Sequence, residues 1–280
     1  MKSSSMSLLS CPDCYGGLVF EGQPEGIRLL HGHLVCQQCQ HHFPIKAGIP
    51  HFIRNEELVG LNRKYARLYD LISPFYDANF FIANYVRRQF FPAGEDQARR
   101  EVVDRLEIAP GNRILETGIG SGANIPFLLT EAPGLEIFGL DIALRMLQQC
   151  GRRQQHWDVE LELFLAKSEA LPYQDETFDV VFHVGGINAF SGKEQAIAEM
   201  IRVARPGTRI VIADEVEEVA TEASLLSRLG VLLFFGRRLT EEIYSFHPDE
   251  LLGLIQGDMT EVALHTIWEG KGYLLEFRKP

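Results

Sequence analysis

The pattern of apolar and polar positions after residue 110 predicts a strand, a sharp turn, a helix and a second strand. The apolar pair Ile114 and Leu115 leads directly into residues 116–122, which read Glu-Thr-Gly-Ile-Gly-Ser-Gly. A stretch of helical character follows, and the mainly apolar residues 135–141 then end in the carboxylate of Asp141. A chain that turns sharply from a strand into a helix needs residues without Cβ. This segment therefore indicates an α/β fold.

The turn and the acid after the second strand together suggest a ligand that contains a ribose. The bare backbone of Gly118 and Gly120 lets a ligand lie against the turn, and Asp141 can accept hydrogen bonds from both ribose hydroxyls. Glu116, at the tip of the first strand, would attract a cationic amino group. Such turns also bind NAD, FAD and phosphate, but the dinucleotide fingerprint is Gly-x-Gly-x-x-Gly, whereas these glycines alternate.

This spacing, with an acid two positions before the first glycine, resembles motif I of the class I S-adenosylmethionine-dependent methyltransferases. Further segments resemble that family in the same order along the chain, at residues 106–116, 139–147, 170–182 and 199–214. Residues 69–77 are similar to the N-terminal helix of the ubiquinone/menaquinone biosynthesis methyltransferases.

The resemblance covers roughly residues 56–280 and implies both a fold and a cofactor. The expected fold is a Rossmann-like, seven-stranded α/β sheet whose last strand, at residues 273–278, is antiparallel and follows a strand at residues 261–267. The expected cofactor is S-adenosylmethionine, held by Glu116, Gly118, Gly120 and Asp141.

One position departs from the family pattern. The family often has an aspartate that accepts a hydrogen bond from the adenine amine, but residues 166–169 read Ala-Lys-Ser-Glu, and Lys167 has only donors. Adenine would then be held by the backbone N–H of Ser168 and apolar walls, with Glu169 assisting. This departure leaves open the alternative that the domain has the fold but has lost its catalytic activity.

His183 is the candidate catalytic residue. It lies at the end of the fourth predicted strand, and the carboxyl ends of strands in open α/β sheets face the ligand crevice. A histidine there could remove a proton from the acceptor. The alternative is that proximity to a reactive sulfonium suffices and no base is needed.

Two Cys-x-x-Cys pairs, Cys11 with Cys14 and Cys36 with Cys39, predict a structural Zn²⁺ site. Disulfides are the alternative, which the lack of secretory features disfavours. Residues 34–53 resemble the small zinc-binding domain that serves as activator subunit of several tRNA and protein methyltransferases. Nearby histidines could replace a ligand; they are His31, His33, His41, His42 and His51.

Composition limits the partners. The chain has 280 residues and a net charge of −11, with the excess acid in its later part, which counts against general nucleic-acid binding. The start of the chain has too few apolar residues for a signal peptide, and the longest apolar run, residues 229–235, is too short to span a bilayer. We expect a cytoplasmic protein without a membrane span.

The expected organisation is a zinc-binding module at 1–54, a helical connector at 55–107 and a methyltransferase domain at 108–280. The connector would cover the cofactor and border the acceptor, with its tyrosines at the pocket edge, and the apolar residues 223–238 would form a second cover. These aromatic and apolar groups favour an apolar or aromatic acceptor; they include Tyr65, Tyr69, Tyr76, Phe75, Phe80, Phe81, Phe90 and Phe91.

The predicted function is methyl transfer from S-adenosylmethionine to a small, apolar or aromatic acceptor. One alternative is an RNA methyltransferase of the rRNA guanine type, a group that also places a zinc module before this domain. Basic pairs would then contact the RNA, at residues 87–88, 99–100 and 237–238. A second alternative is a non-catalytic interaction protein that binds a partner through the zinc module.

Overall fold

The computed structural model describes residues 1–53, 58, 60, 62–64, 66–67, 95–157, 159–215 and 247–280. The tyrosines and phenylalanines predicted to border the acceptor, and the apolar segment 223–238, lie outside these residues. Within them, no helix is long and apolar enough to cross a membrane.

The N-terminal residues form a small antiparallel sheet preceded by a 3₁₀ helix at Ser3–Leu8. Its strands pair in chain order. Alternate side chains of the central strands point into a compact apolar layer that contains Leu34, Phe43 and Ile45. The strands are β1 (Leu18–Glu21), β2 (Gly32–Cys36), β3 (His42–Lys46) and β4 (Ile49–Pro50).

The later residues form a seven-stranded sheet with the order β10-β11-β9-β8-β5-β6-β7 among the described strands. Strands β5 to β9 run parallel, and β11 is antiparallel to both β9 and β10. This confirms the predicted α/β class and the antiparallel last strand. The strands are β5 (Arg113–Thr117), β6 (Glu136–Asp141), β7 (Leu161–Leu165), β8 (Val180–Val184), β9 (Arg209–Glu215), β10 (Thr260–Ile267) and β11 (Gly272–Arg278).

Helices connect and flank these strands, because parallel neighbours need crossover connections. They are α1 (Glu95–Val103), α2 (Ile125–Leu128), α3 (Leu144–Trp157), α4 (Lys193–Val203) and α5 (Asp249–Leu252), with 3₁₀ turns at Ile187–Ala189 and Trp268–Gly270. The helix predicted to run to residue 107 ends at Val103. Glu107 has a φ of 52°, which a right-handed helix cannot include.

The two sheets are joined through the backbone. The Phe52 N–H donates to the carbonyl of Leu165 at 2.8 Å, so the chain after β4 continues along the edge strand β7. On the other side of the module, the Ser10 N–H donates to the Pro172 carbonyl at 3.1 Å, and Ser10 Oγ donates to the Tyr173 carbonyl at 2.8 Å. The module therefore covers an edge that would otherwise present unpaired N–H and C=O groups.

The carboxyl ends of the parallel strands lie at one edge of the sheet. There, the turn after β5 and the end of β6 form one side of a crevice, and the loop after β8 and the end of β9 form the other. The chain progresses in opposite directions across the sheet from β5, through β6 and β7 on one side and β8 and β9 on the other. Ligands of open α/β sheets bind at such a switch point.

Gly139 allows the turn after β5 to approach β6. A Cβ at position 139 would lie 2.3 Å from Ile119 Cδ1 and 2.9 Å from Ile119 Cγ2. We predict that Gly139→Ala lowers the free energy of unfolding by about 1–3 kcal/mol, because overpacking forces side chains out of their preferred rotamers. Urea unfolding measures the change.

Gly151→Ala is the matched control, since a Cβ on that residue of α3 would have its nearest atom, Leu163 Cδ1, at 3.7 Å. Alanine favours helix, so this variant should be unchanged or more stable by up to about 1 kcal/mol. Equal stability of the two variants would contradict the close approach of Ile119 to β6.

Candidate cofactor site and metal site

The glycine turn follows β5 and lies against β6. The N–H groups of Gly118 and Ile119 both donate to the carbonyl of Leu140, at 2.8 and 3.0 Å. Gly118 and Gly120 have φ angles of 73° and 54°, in the left-handed region that glycine adopts without strain. The sequence-predicted glycines therefore form a tight turn at the carboxyl edge of the sheet.

Asp141 holds this turn onto the end of β6. Its Oδ2 accepts the Gly120 N–H at 2.9 Å, and its Oδ1 accepts the Ala143 N–H at 2.8 Å. Its side chain is only partly buried. A carboxylate has about four lone-pair positions, and these two backbone N–H groups occupy two of them. The structure thus brings Asp141 and the turn together, as the sequence predicts.

Glu116 lies beneath the turn and is 1% exposed. Its Oε1 accepts a hydrogen bond from Asn124 Nδ2 at 2.6 Å, and Arg99 Nη1 donates to Asn124 Oδ1 at 2.7 Å. Its Oε2 is a buried oxygen without a hydrogen-bond partner within the described part of the chain. Burial raises the pKa of Glu116 from its ordinary value of 4.5 to about 8.

Asn124 and Arg99 are neighbours of Glu116 that the sequence pattern did not reveal. An asparagine next to a helix start after a glycine turn is a weak signal for a carboxylate partner. In the sequence, Arg99 stands out only as half of a basic pair that could contact RNA. Together they connect the buried Glu116 to the helical layer, because α1 lies across the start of α2.

His183 is entirely buried beside the turn. Its Nδ1 lies 2.6 Å from the Thr117 carbonyl, which can only accept, so Nδ1 carries the proton and Nε2 carries the lone pair. Nε2 has no hydrogen-bond partner among the described residues, and the ring packs on Phe190 with 4.9 Å between centroids. Burial lowers the pKa of His183, which keeps the imidazole neutral at pH 7.

The loop after β7 approaches Asp141 from the other side. The Ala166 N–H donates to the Asp141 carbonyl at 3.2 Å, and Ser168 is buried two residues further on. Glu169 follows Ser168, and its Oε1 accepts a hydrogen bond from Asn62 Nδ2 at 2.7 Å. Ser168 therefore follows, by two residues, the backbone contact between Ala166 and Asp141. The next residue, Glu169, is bonded to Asn62.

The four cysteines of the two Cys-x-x-Cys pairs meet at one point. Their sulfur atoms all lie within 4.8 Å of one another, with 3.7 Å between Cys11 and Cys39 and 3.4 Å between Cys14 and Cys36. A disulfide would require about 2.05 Å. Four thiolates about 2.3 Å from a tetrahedral Zn²⁺ would be separated by about 3.8 Å. The donor set therefore fits a closed structural zinc site.

The backbone prepares the second pair for a metal. The N–H groups of Gln38 and Cys39 both point at Cys36 Sγ, at 3.4 Å. Burial acts to raise the pKa of the Cys36 thiol, but these hydrogen bonds outweigh it and lower the pKa to about 7. The nearby histidines lie outside the ligand cluster found in the described residues, and His41 pairs with Asp13 instead.

Comparisons with known proteins agree with both parts of the molecule. Residues 115–212 match the methyltransferase domain family, and residues 3–48 match the Trm112p-like protein family. The chain contains a class I methyltransferase domain. The methyltransferase domain is preceded by a Trm112p-like module, which corresponds to the predicted zinc-binding region.

Curated relatives of the methyltransferase domain include the demethylmenaquinone methyltransferase of Thermus thermophilus, 38% identical over 117 residues, which is 41% of this chain and 53% of that protein. The demethylmenaquinone methyltransferase of Renibacterium salmoninarum is 30% identical over 151 residues, 53% of this chain and 57% of that protein. The chain therefore spans little more than half the length of these two relatives.

Solved structures share the fold. A phosphoethanolamine N-methyltransferase 2 of Haemonchus contortus aligns with a TM-score of 0.57 at 13% identity, over 85% of this chain and 62% of that chain. A chain from the complex that contains the Haloferax volcanii Trm112 methyltransferase activator aligns with a TM-score of 0.51 at 16% identity, over 76% of this chain and 97% of that chain. At these identities the likeness extends to the fold alone.

We predict that the protein, purified without added zinc, contains about one Zn²⁺ per chain and that Cys36→Ser lowers this content to well below half. A module of this size buries little apolar surface, and metal binding supplies part of its folding free energy, so Cys36→Ser should also lower Tm. Elemental analysis and thermal unfolding measure both effects. The control, Cys150→Ala on α3, should retain the metal; a folded wild-type protein without zinc would contradict the site.

We predict that Glu116 makes stability fall as the pH rises. Its pKa is raised in the folded state, so the folded protein binds more protons than the unfolded chain between about pH 4.5 and pH 8. This contribution is complete below pH 4.5 and is lost as the pH passes 8. Urea unfolding at pH 5 and pH 9 should show Glu116→Gln losing less stability than wild type, by on the order of a few kcal/mol.

Glu25→Gln, at an exposed position of the module, provides the control and should leave the pH dependence unchanged. If Glu116→Gln has the same pH dependence as wild type, Glu116 does not carry a raised pKa in the folded protein.

Proposed function

We propose that this chain transfers a methyl group from S-adenosylmethionine to a small, apolar or aromatic acceptor. The observation that carries the proposal is the contact between Asp141 and the glycine turn, where a partly exposed carboxylate accepts the Gly120 N–H at 2.9 Å. A partly exposed acid therefore lies beside bare backbone at the carboxyl edge of the sheet, and a ribose hydroxyl is a suitable donor to it. When bound, S-adenosylmethionine supplies an electrophilic methyl group on a sulfonium.

The residues on the β5–β6 side would hold the cofactor. Asp141 accepts the ribose hydroxyls, and Gly118 and Gly120 allow close approach to the backbone. Glu116, whose Oε2 has no partner within the described part of the chain, receives the cationic amino group of the methionine portion and releases its proton to solvent as that group binds. Ser168 contributes its backbone N–H on the adenine side.

The β8–β9 side would hold the acceptor. The loop after β8 begins with Gly185 and Gly186, and the Asp214 carboxylate at the end of β9 accepts the Gly186 N–H at 3.0 Å. His183 lies behind this loop with an unprotonated Nε2. We assign His183 the role of general base: after a movement that exposes its buried ring, Nε2 takes a proton from the molecule that is methylated.

The relatives support the acceptor class. Curated relatives are named demethylmenaquinone methyltransferase and ubiquinone/menaquinone biosynthesis C-methyltransferase, and the latter, from Burkholderia mallei, is 28% identical over 160 residues. A reduced quinone is a flat, apolar, electron-rich ring, which suits an acceptor of the proposed class. The zinc ion would be structural, because four cysteines leave no open coordination position.

RNA is the second candidate acceptor. Residues 3–48 match the Trm112p-like family, and a structural neighbour comes from a complex that contains a Trm112 methyltransferase activator. The net charge of −11 works against a phosphate backbone. A panel of a reduced naphthoquinone, a simple phenol and ribosomal RNA, assayed by transfer of a labelled methyl group, separates the two. Methylation of RNA alone would overturn the small-acceptor proposal.

We predict that Asp141→Ala weakens binding of S-adenosylmethionine about a hundredfold or more, because two hydrogen bonds to a charged acceptor are lost. Isothermal titration calorimetry measures the dissociation constant. Asp141→Asn, which keeps one carbonyl oxygen for the Gly120 N–H, should lie between this variant and wild type. The control is Asp258→Ala, at an exposed acid before β10.

The circular dichroism spectrum of each variant shows whether the fold is retained. Equal affinity of wild type and folded Asp141→Ala would refute the ribose assignment, and no binding by the wild-type protein would favour a non-catalytic domain.

A further inference from the structure

Asn62 is a buried amide at a junction of three segments. It is helical, lies between the module and α1 along the chain, and is 6% exposed. A buried amide must find partners for both its N–H₂ and its C=O, or it destabilises the fold. The position of those partners therefore shows what Asn62 connects.

The Asn62 amide has one partner on each side of the crevice. Its Nδ2 donates to Glu169 Oε1 at 2.7 Å, and its Oδ1 accepts the Ser191 N–H at 3.2 Å. Its backbone N–H also points at Ser191 Oγ, at 3.4 Å. Glu169 follows β7, whereas Ser191 follows β8. A single side chain thus bridges two loops that belong to opposite halves of the sheet.

The first of these loops, residues 166–169, belongs to the cofactor side. The N–H of its first residue, Ala166, donates to the Asp141 carbonyl at 3.2 Å, and the buried Ser168 lies two residues further along the chain. A ligand that contacts Asp141 and Ser168 would therefore fix the position of Glu169, and with it one end of the Asn62 amide.

The second loop, residues 185–192, belongs to the acceptor side. Asp214 accepts its N–H groups at Gly186 and Asn188, at 3.0 and 3.3 Å, so this end is fixed by β9. The other end rests on Asn62 and on Glu169, since a Cβ at Gly192 would lie 3.3 Å from Glu169 Cγ. The contact with the cofactor side is therefore made at one end of the loop.

We propose that Asn62 is a positioning residue that transmits the state of the cofactor-side loop 166–169 to the acceptor-side loop 185–192. This inference rests on the proposed function. When the cofactor side is filled, Glu169 is held, the Asn62 amide is held by Glu169, and the Ser191 N–H is held by Asn62. The acceptor-side loop is then held more firmly, so the cofactor binds first and prepares the site for the acceptor.

Hydrogen–deuterium exchange followed by mass spectrometry tests the proposal on the full chain. S-Adenosylhomocysteine, the demethylated cofactor, serves as the ligand, so no acceptor is required. In wild type, the ligand should slow exchange in both loops. In Asn62→Ala without ligand, exchange in both loops should be about tenfold faster, because a hydrogen bond to a charged group is lost. With ligand, only residues 166–169 should become protected.

Matched variants separate the amide bridge from a general loss of structure. Ser191→Ala keeps both bonds of the Asn62 amide and should behave as wild type. Glu169→Gln keeps an oxygen for Asn62 Nδ2 and should also retain protection of residues 185–192, whereas Glu169→Ala should lose it. Exchange in β10, the edge strand farthest from β7 in the described sheet, should be the same in every variant. If Asn62→Ala does not fold, the Glu169 pair provides the same comparison.

Two results would overturn the proposal. One is full ligand-induced protection of residues 185–192 in Asn62→Ala, which would show that the signal does not pass through the amide. The other is unchanged exchange of both loops in ligand-free Asn62→Ala. Failure of the ligand to protect any segment of wild type would overturn the proposed function and the transmission together, while the ligand-free comparison would still decide whether Asn62 tethers the loops.

Discussion

The hydrogen bond between the Gly120 N–H and the Asp141 carboxylate joins the first two strands of the parallel sheet at their carboxyl ends. Ile119 donates to the Leu140 carbonyl in the same junction and packs over Gly139, where a side chain would collide with it. The crevice depends on this close contact, because it leaves a strand end, a bare turn and a carboxylate side by side. The same carboxylate is then both the anchor of the turn and the group offered to a ribose.

Buried polar groups around this junction are stabilised by partners that the rest of the fold supplies. Glu116 depends on Asn124, and Asn124 depends on Arg99 from α1. On the outer side, the buried Glu199 of α4 accepts the Leu171 N–H at 2.8 Å and the Tyr15 hydroxyl at 3.1 Å. The second contact reaches into the cysteine module. The module therefore supports the loop between β7 and β8, which begins with the cofactor-side residues.

The glycine turn, Asp141 and the cysteine pairs could be predicted from the sequence because each is a local pattern with a specific backbone or ligand requirement. The seven-stranded order was available through family resemblance. Asn62 could not be predicted, because its partners lie 107 and 129 residues away and an isolated asparagine has no pattern. For the same reason the hydrogen bond from Asn62 to Glu169 Oε1 could not be predicted. The pairing of the module with β7 was hidden because backbone hydrogen bonds between segments require no particular side chains.

The central claim is that the cofactor lies on the β5–β6 side of the crevice, and a crystal structure of the chain with S-adenosylhomocysteine tests it most directly. The account predicts both ribose hydroxyls within hydrogen-bond distance of the Asp141 carboxylate, the amino group of the ligand beside Glu116, and its sulfur facing the loop after β8. A ligand bound elsewhere on the molecule, or a ribose that makes no contact with Asp141, would contradict the account.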